Sequence, residues 1–254
     1  MTNQLTTQFV AHRGYSRLYP ENTLLSMEQA MRSGACYIEC DIHLTKDCLP
    51  VLLHDAELDR VTGHSGVIHE LVYEDVKQFS VRYPDKFGDK FTDLKIPLLS
   101  DLVELMTQWP KRKVFVEVKR SSIRQFGREF TVQKILEVVQ GVSDQVVVIS
   151  FDQETISLTK QLGSWQTGWV IDEWSASNLA ISEKLRPDFL FVDVDCIPME
   201  VNSLPDACWN WALYEIDTPE LASTWINRGA TFIETNDIEH MLQYKSFRHS
   251  GCHE

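Results

Sequence analysis

Long apolar runs are missing from this sequence: no stretch reaches the roughly 18 residues of a membrane span. The opening "MTNQLTTQFVAHRG" lacks a basic segment followed by an apolar one, so it does not read as a secretory signal. Basic charge is scarce as well, with 24 Lys and Arg against 37 Asp and Glu and a formal charge of −13. That balance argues against nucleic-acid binding, which needs basic patches to displace counterions, and against docking on anionic lipid. It does not exclude an anionic substrate, because the local field of a site can oppose the net charge. Nucleotide signatures are absent too: there is no G-x-G-x-x-G after the first candidate strand and no phosphate-loop Gly-Lys-Ser/Thr. The six cysteines form no C-x-x-C pair. Cys36 and Cys40 lie in or beside a candidate strand and read as buried, reduced thiols, which points to a cytoplasmic protein.

What is present is a globular composition, 43% hydrophobic and 24% charged over 254 residues. Strand-like runs alternate with helical patterns along nearly the whole chain. "FVAHR" (9–13) and "CYIECDIHL" (36–44) are separated by a helix over 22–33, with Asn22 as its expected cap and Gly34 closing it. "PVLLHD" (50–55) is a short extended piece, and 56–97 is irregular. Then come "KVFVEVK" (113–119), a helix over 123–140, "QVVVISFD" (145–152), "QTGWVI" (166–171), "DFLFVDV" (188–194), "CWNWALYEI" (208–216) and "ATFIETN" (230–236), with helices between them. Short continuous β-branched runs suit parallel strands covered on both faces. Eight strand–helix units in a chain of this length predict an α/β fold of the (β/α)8 TIM-barrel class, one domain over 1–254 with a small insertion at 56–97 after the second strand. An open doubly wound sheet shares the alternation, but its nucleotide-binding loops are missing.

In such a barrel, active residues gather at the C-terminal ends of the strands. His12 and Arg13 end the first strand. Glu39 and Asp41, two apart, share a face of the second, and Glu117 and Lys119 share a face of the third. His54 ends the extended piece. Interleaved carboxylates on one buried face repel each other and lose water, so a cation is expected between them. Glu39, Asp41 and Glu117 form an all-oxygen set that suits Mg²⁺ or Ca²⁺ rather than zinc. The bland alternative is structural ion pairing with Arg13 and Lys119. A metal, an arginine and a lysine around one point form a phosphate clamp, and two histidines supply an acid and a base near neutral pH. His43 shares the face of Glu39 and Asp41 but reads as structural, as do His64, His69, His240, His249 and His253.

The run "AHRG…PENT…IECDIHLTKDCLPVLLHD…LDRVTG" resembles the glycerophosphodiester phosphodiesterases, whose signature is His-Arg, then Glu-x-Asp, then His. "KIPLLSDLVEL" (95–105), "VFVEVK" and "ISFD" (149–152) are similar to further pieces of the family pattern. The resemblance implies Glu39, Asp41 and Glu117 as metal ligands, His12 and His54 as the acid–base pair, and Arg13 and Lys119 as phosphate-binding groups. It implies metal-dependent hydrolysis of small glycerophosphodiesters to an alcohol and glycerol 3-phosphate. The family's Trp-Thr-Val-Asn corresponds to "WALY" (211–214), so Trp211 lines the glycerol side of the pocket or packs as a barrel-core aromatic. Its Ile-Ile-Thr-Asp ending corresponds to "FIETN" (232–236), with Thr235 kept and Asn236 in place of Asp. Competing readings are a lipid-cleaving phosphodiesterase, a Mg²⁺-dependent enolate-forming barrel and a barrel that binds without cutting. The first lacks a basic amphipathic surface helix, the second leaves His12, Arg13 and His54 unexplained, and the third does not need all seven polar groups in place.

Overall fold

Runs of β-branched and aromatic residues form nine strands in the computed structural model, which describes residues 7–252. They are β1 (Gln8–Ala11), β2 (Tyr37–Leu44), β3 (Pro50–Leu52), β4 (Lys113–Val118), β5 (Val146–Ser150), β6 (Gln166–Ile171), β7 (Phe189–Asp193), β8 (Asn210–Tyr214) and β9 (Phe232–Thr235). All but β3 run parallel and close a barrel, because β1 pairs with β2 on one side and β9 on the other. Ala11 fixes that seam, in register with Ile38 and with Thr235. β3 lies antiparallel on β2, outside the ring. The eight-stranded parallel barrel expected from the alternation is what forms.

The helices are α1 (Leu24–Arg32), α2 (Asp59–Thr62), α3 (Tyr73–Val76), α4 (Pro84–Phe87), α5 (Leu99–Thr107), α6 (Arg120–Phe126), α7 (Arg128–Val139), α8 (Gln153–Leu162), α9 (Ala176–Leu185), α10 (Pro219–Asn227) and α11 (Ile238–Gln243). The cap of α1 differs from expectation. Thr23 does the capping, accepting from the Ser26 N–H, while Asn22 turns its side chain onto Asp41. The single helix expected over 123–140 is two, broken at Gly127, whose φ of +87° no helix continues. Residues 56–97 carry α2, α3 and α4 over a small core of their own, in which Leu58, Val61, Ile68, Val76 and Ile96 pack on Val51 and Leu53.

Inside the barrel, Val10, Phe115, Val147, Phe189, Ala212 and Phe232 form an apolar plug. The Phe115 ring meets Phe189 edge-on at 5.0 Å and Phe191 at 5.1 Å. Gly168 makes room for them: a Cβ there would stand 2.8 Å from Ile149 Cγ2 and 3.2 Å from the Phe191 ring. The plug seals the N-terminal end, so the cavity opens only toward the C-terminal ends of the strands, where the polar residues are.

Below the plug, the segment after α11 folds under the barrel. Phe247 packs on Phe9 with ring centroids 4.9 Å apart, and Cys252 is disulfide-bonded to Cys36. The expectation of a reduced thiol therefore fails for Cys36. Its partner is 216 residues away and brought near only by barrel closure, so no local spacing signals the pair. Cys40, Cys48, Cys196 and Cys208 are free thiols. With Cys36 paired, cysteine usage no longer supports a reducing compartment. Among the described residues, no helix is long and apolar enough to cross a membrane.

Candidate active site

Alternation along the strands decides what the cavity holds. Inward positions of β2 are Tyr37, Glu39 and Asp41; of β4, Phe115 and Glu117; of β9, Phe232 and Glu234. His12 and Arg13 follow β1 directly, and the His12 N–H donates to the Thr235 carbonyl at 3.0 Å, extending the seam by one residue. Arg13 has φ +55° and Gly14 φ +77°. A Cβ on Gly14 would stand 2.6 Å from the Ser26 backbone, so only glycine lets the chain turn here against α1. That turn aims the Arg13 N–H at Glu39 Oε2, 3.0 Å away.

Glu39, Asp41 and Glu117 are all buried, and each offers an oxygen within 4.8 Å of the others. Lys119 Nζ lies 2.9 Å from Glu117 Oε1 and 3.1 Å from Asp41 Oδ1, and Arg13 Nε 3.3 Å from Asp41 Oδ2. Burial would raise the Asp41 carboxyl, but Lys119 and Arg13 hold it far below the usual carboxylate range. Glu39 is relieved only in part by Arg13: burial, then Asp41, Glu234 and Glu117, push its carboxyl well above that range. Glu117 is also raised, by burial first, with Lys119 offsetting only part. Two cationic side chains thus face three carboxylates, and the cluster is short of positive charge. An all-oxygen set in that state fits a divalent cation.

His12 is buried against Asn236, with Nδ1 3.3 Å from Asn236 Oδ1. The Asn236 amide nitrogen donates to Glu215 and Asp217, so its oxygen is left to accept, from Ser16 Oγ and from His12. That assigns the proton to His12 Nδ1 and leaves Nε2 as the imidazole's other, lone-pair-bearing nitrogen. Burial, with Arg13 beside it, lowers the His12 pKa to about 4. His54 is held the same way: Nδ1 is 2.7 Å from Asp55 Oδ1, and Arg60 fixes Asp55 at 2.5 Å. Arg60 and Arg13 meet again on Glu21, which joins the two histidine arms through one buried carboxylate. Burial lowers the His54 pKa as well, and Asp41 and Asp55 partly restore it.

Seven of the eight expected site residues converge; Trp211 does not. It sits on the outward face of β8, packs on Trp174 and Trp209 and donates its indole N–H to the Pro205 carbonyl at 2.9 Å. Tyr214, inward on the same strand, lines the cavity instead. His43 lies behind the site, its Nε2–H directed at the His54 carbonyl at 3.0 Å and Nδ1 at Ser122 Oγ. His69 is similarly tucked against the Leu44 carbonyl, and His253 falls outside the described residues. The cavity encloses about 110 Å³. His12, Arg13, Glu39, His54, Glu117 and Lys119 form one wall, and Ile149, Val170, Phe191 and Tyr214 the other. Two further acids reach it that the sequence reading passed over, Glu215 and Glu234. Their signal was available in "YEI" and "FIET", where a charge interrupts an apolar strand.

Comparison with known proteins places this geometry among relatives. The glycerophosphoryl diester phosphodiesterase family model matches residues 12–235. A glycerophosphodiester phosphodiesterase of Bacillus altitudinis is 36% identical over 156 residues, 61% of this chain and 62% of that protein. A namesake from Caldanaerobacter subterraneus subsp. tengcongensis is 27% identical over 247 residues, 94% of this chain and 97% of that one. The chain thus spans just over three fifths of the first of these relatives and nearly all of the second. Among solved structures, a phosphodiesterase of Oleispira antarctica in complex with the product sn-glycerol-3-phosphate shares the fold, with a TM-score of 0.82, 24% identity and coverage of 92% and 94% of the two chains.

Proposed function

Because the chain belongs to the glycerophosphoryl diester phosphodiesterase family, we propose that it hydrolyses small glycerophosphodiesters to an alcohol and sn-glycerol 3-phosphate with the help of one divalent cation. The observation that carries this reading is the meeting of three buried carboxylates, Arg13, Lys119 and two histidines with fixed Nδ1 protons in one small cavity.

Arg13 and Lys119 bind and orient the phosphate, their charges set against its oxygens. Burial alone would lower the Lys119 pKa, but Asp41 and Glu117 outweigh it, so the ammonium stays charged. Glu39, Asp41 and Glu117 would hold the cation, Mg²⁺ or Ca²⁺. When bound, it supplies positive charge where the phosphoryl oxygens become more negative. His12 and His54 divide the proton work. One Nε2 takes the proton of the glyceryl hydroxyl next to the phosphate as that oxygen bonds to phosphorus. The other, which enters the step as the imidazolium with both nitrogens protonated, gives its Nε2 proton to the departing alcohol as the P–O bond breaks. Water then opens the cyclic phosphate by the reverse exchange, returning both histidines to their starting states. Asn236 and Asp55 keep each ring in one tautomer through the cycle.

The test is a coupled assay for glycerol 3-phosphate, with glycerophosphocholine and glycerophosphoethanolamine as substrates, in Mg²⁺, Ca²⁺ or excess chelator. Release with either cation and suppression by chelator are expected. Absence of release with every cation overturns the reading.

A further inference from the structure

Glu234 has no task in that mechanism, yet it sits where a task is to be expected. Its carboxyl is buried, 4% exposed, and faces the cavity beside His12, Glu39 and Tyr214. Oxygen Oε1 is buried and meets no hydrogen-bond donor among the described residues. An acid so placed is costly unless something bound to the site completes it. Among the described residues no basic side chain pairs with it: Arg13 is engaged by Glu21 and Asp41, and Lys119 by Asp41 and Glu117. Nor does it join the three-acid group, whose oxygens lie within 4.8 Å of one another without it.

Depth and surroundings indicate the donor. Glu234 is in register with Val10, so it lies one step deeper along the seam than His12, which bonds to Thr235. A leaving alcohol departs through the mouth, whereas the retained part of the substrate occupies the floor. Val170, Phe191 and Ile149 line the same cavity as Glu234 and give its polar lining an apolar side. A carboxyl oxygen and apolar side chains in one small cavity suit a short carbon chain ending in a hydroxyl.

We propose that Glu234 is a specificity-determining residue whose free carboxyl oxygen accepts a hydrogen bond from the terminal hydroxyl of the substrate's glyceryl group, so that the site distinguishes a glyceryl phosphate from one ending in a methyl. The inference rests on the glycerophosphodiester reading for the identity of that group. A site built to bond a hydroxyl rejects the analogue that lacks it, because the buried acid is then left unpaired.

The test is calorimetric titration, in saturating Ca²⁺, of sn-glycerol 3-phosphate and of propane-1,2-diol 1-phosphate. The second compound keeps the hydroxyl beside the phosphate and loses the terminal one. The native protein is expected to favour glycerol 3-phosphate by about 10- to 100-fold, the range for leaving one buried acceptor unsatisfied. Glu234→Leu abolishes the preference by weakening glycerol 3-phosphate alone, and Glu234→Gln, which keeps an acceptor oxygen, retains part of it. Equal binding of the two phosphates by the native protein overturns the proposal, as does an equal loss for both in Glu234→Leu. Loss of the Ca²⁺-induced rise in melting temperature in Glu234→Leu overturns it too, since it marks a metal ligand. Binding and turnover separate the two readings. Discrimination without diester cleavage sinks the hydrolase and leaves Glu234 its role; cleavage without discrimination does the reverse.

Discussion

Two adjacent layers of the barrel interior are built by the same strands, one inward residue apart, and their chemistry is opposite. The lower inward positions are Val10, Tyr37, Phe115 and Phe232, and two residues on along each segment the chain places His12, Glu39, Glu117 and Glu234. The lower layer is held by aromatic contacts: Tyr37 stacks on Phe115 at 5.7 Å, and Tyr37, Phe115 and Phe189 meet Phe232, and Phe115 meets Phe189, edge-on at 5.0–6.2 Å. The upper layer is held by buried charges that oppose one another, an arrangement that packing alone would not favour. Stability is therefore concentrated below and reactivity above. The aromatic plug carries the cost of the acids and fixes the pitch at which they meet.

Substitutions in the two layers should separate these roles. The largest effect is expected above: His12→Ala or His54→Ala lowers turnover by about 10²- to 10⁴-fold, the usual share of a general acid or base. Melting temperature should hardly move, so a parallel fall in both would merge the layers. Phe115→Ala below should cost about 3–5 kcal/mol of stability in urea unfolding, the range for a buried Phe truncation. A loss under 1 kcal/mol would deny the plug its part. Divalent cation at a hundred times its Kd should add about 2.7 kcal/mol to the native protein. Glu39→Gln should erase that increment while raising stability without the cation, because it removes a buried charge crowded by Asp41, Glu234 and Glu117. The smallest of these effects is expected of Asn236→Ala, about tenfold in turnover, by freeing the His12 ring. Asn236→Asp, which keeps the acceptor but loses the donors to Glu215 and Asp217, should recover only part of it.

Much of this was legible in the sequence because parallel strands write themselves locally. "VVVIS" and "FLFVD" announce buried strands, and the spacing of Glu39 and Asp41 fixes a shared face. What escaped depends on distance or register. Asn236 reaches His12 across 224 positions, and Cys252 reaches Cys36 across 216, both through closure of the ring. Asn22 looked like a helix cap because Asn caps helices, but a neighbouring Thr did that work and freed Asn22 for Asp41. Likeness of letters leaves Trp211 open between the pocket wall and a packing role. Strand parity decides for packing, because Asn210, Ala212 and Tyr214 take the inward face and Trp211 points out.

The Cys36–Cys252 link makes most of the molecule a single covalent circuit. Seven of the eight barrel strands lie inside it, and β1 with α1 lies outside. A protease cut anywhere between the two cysteines leaves the pieces tied until a reductant is added. A cut between Arg13 and Cys36 severs β1, with His12 and Arg13, from the rest of the chain. Gels run with and without reductant would tell the two kinds of cut apart. The strand that supplies the first histidine is thus the one barrel strand outside the closed loop, joined to it by the peptide chain on one side only.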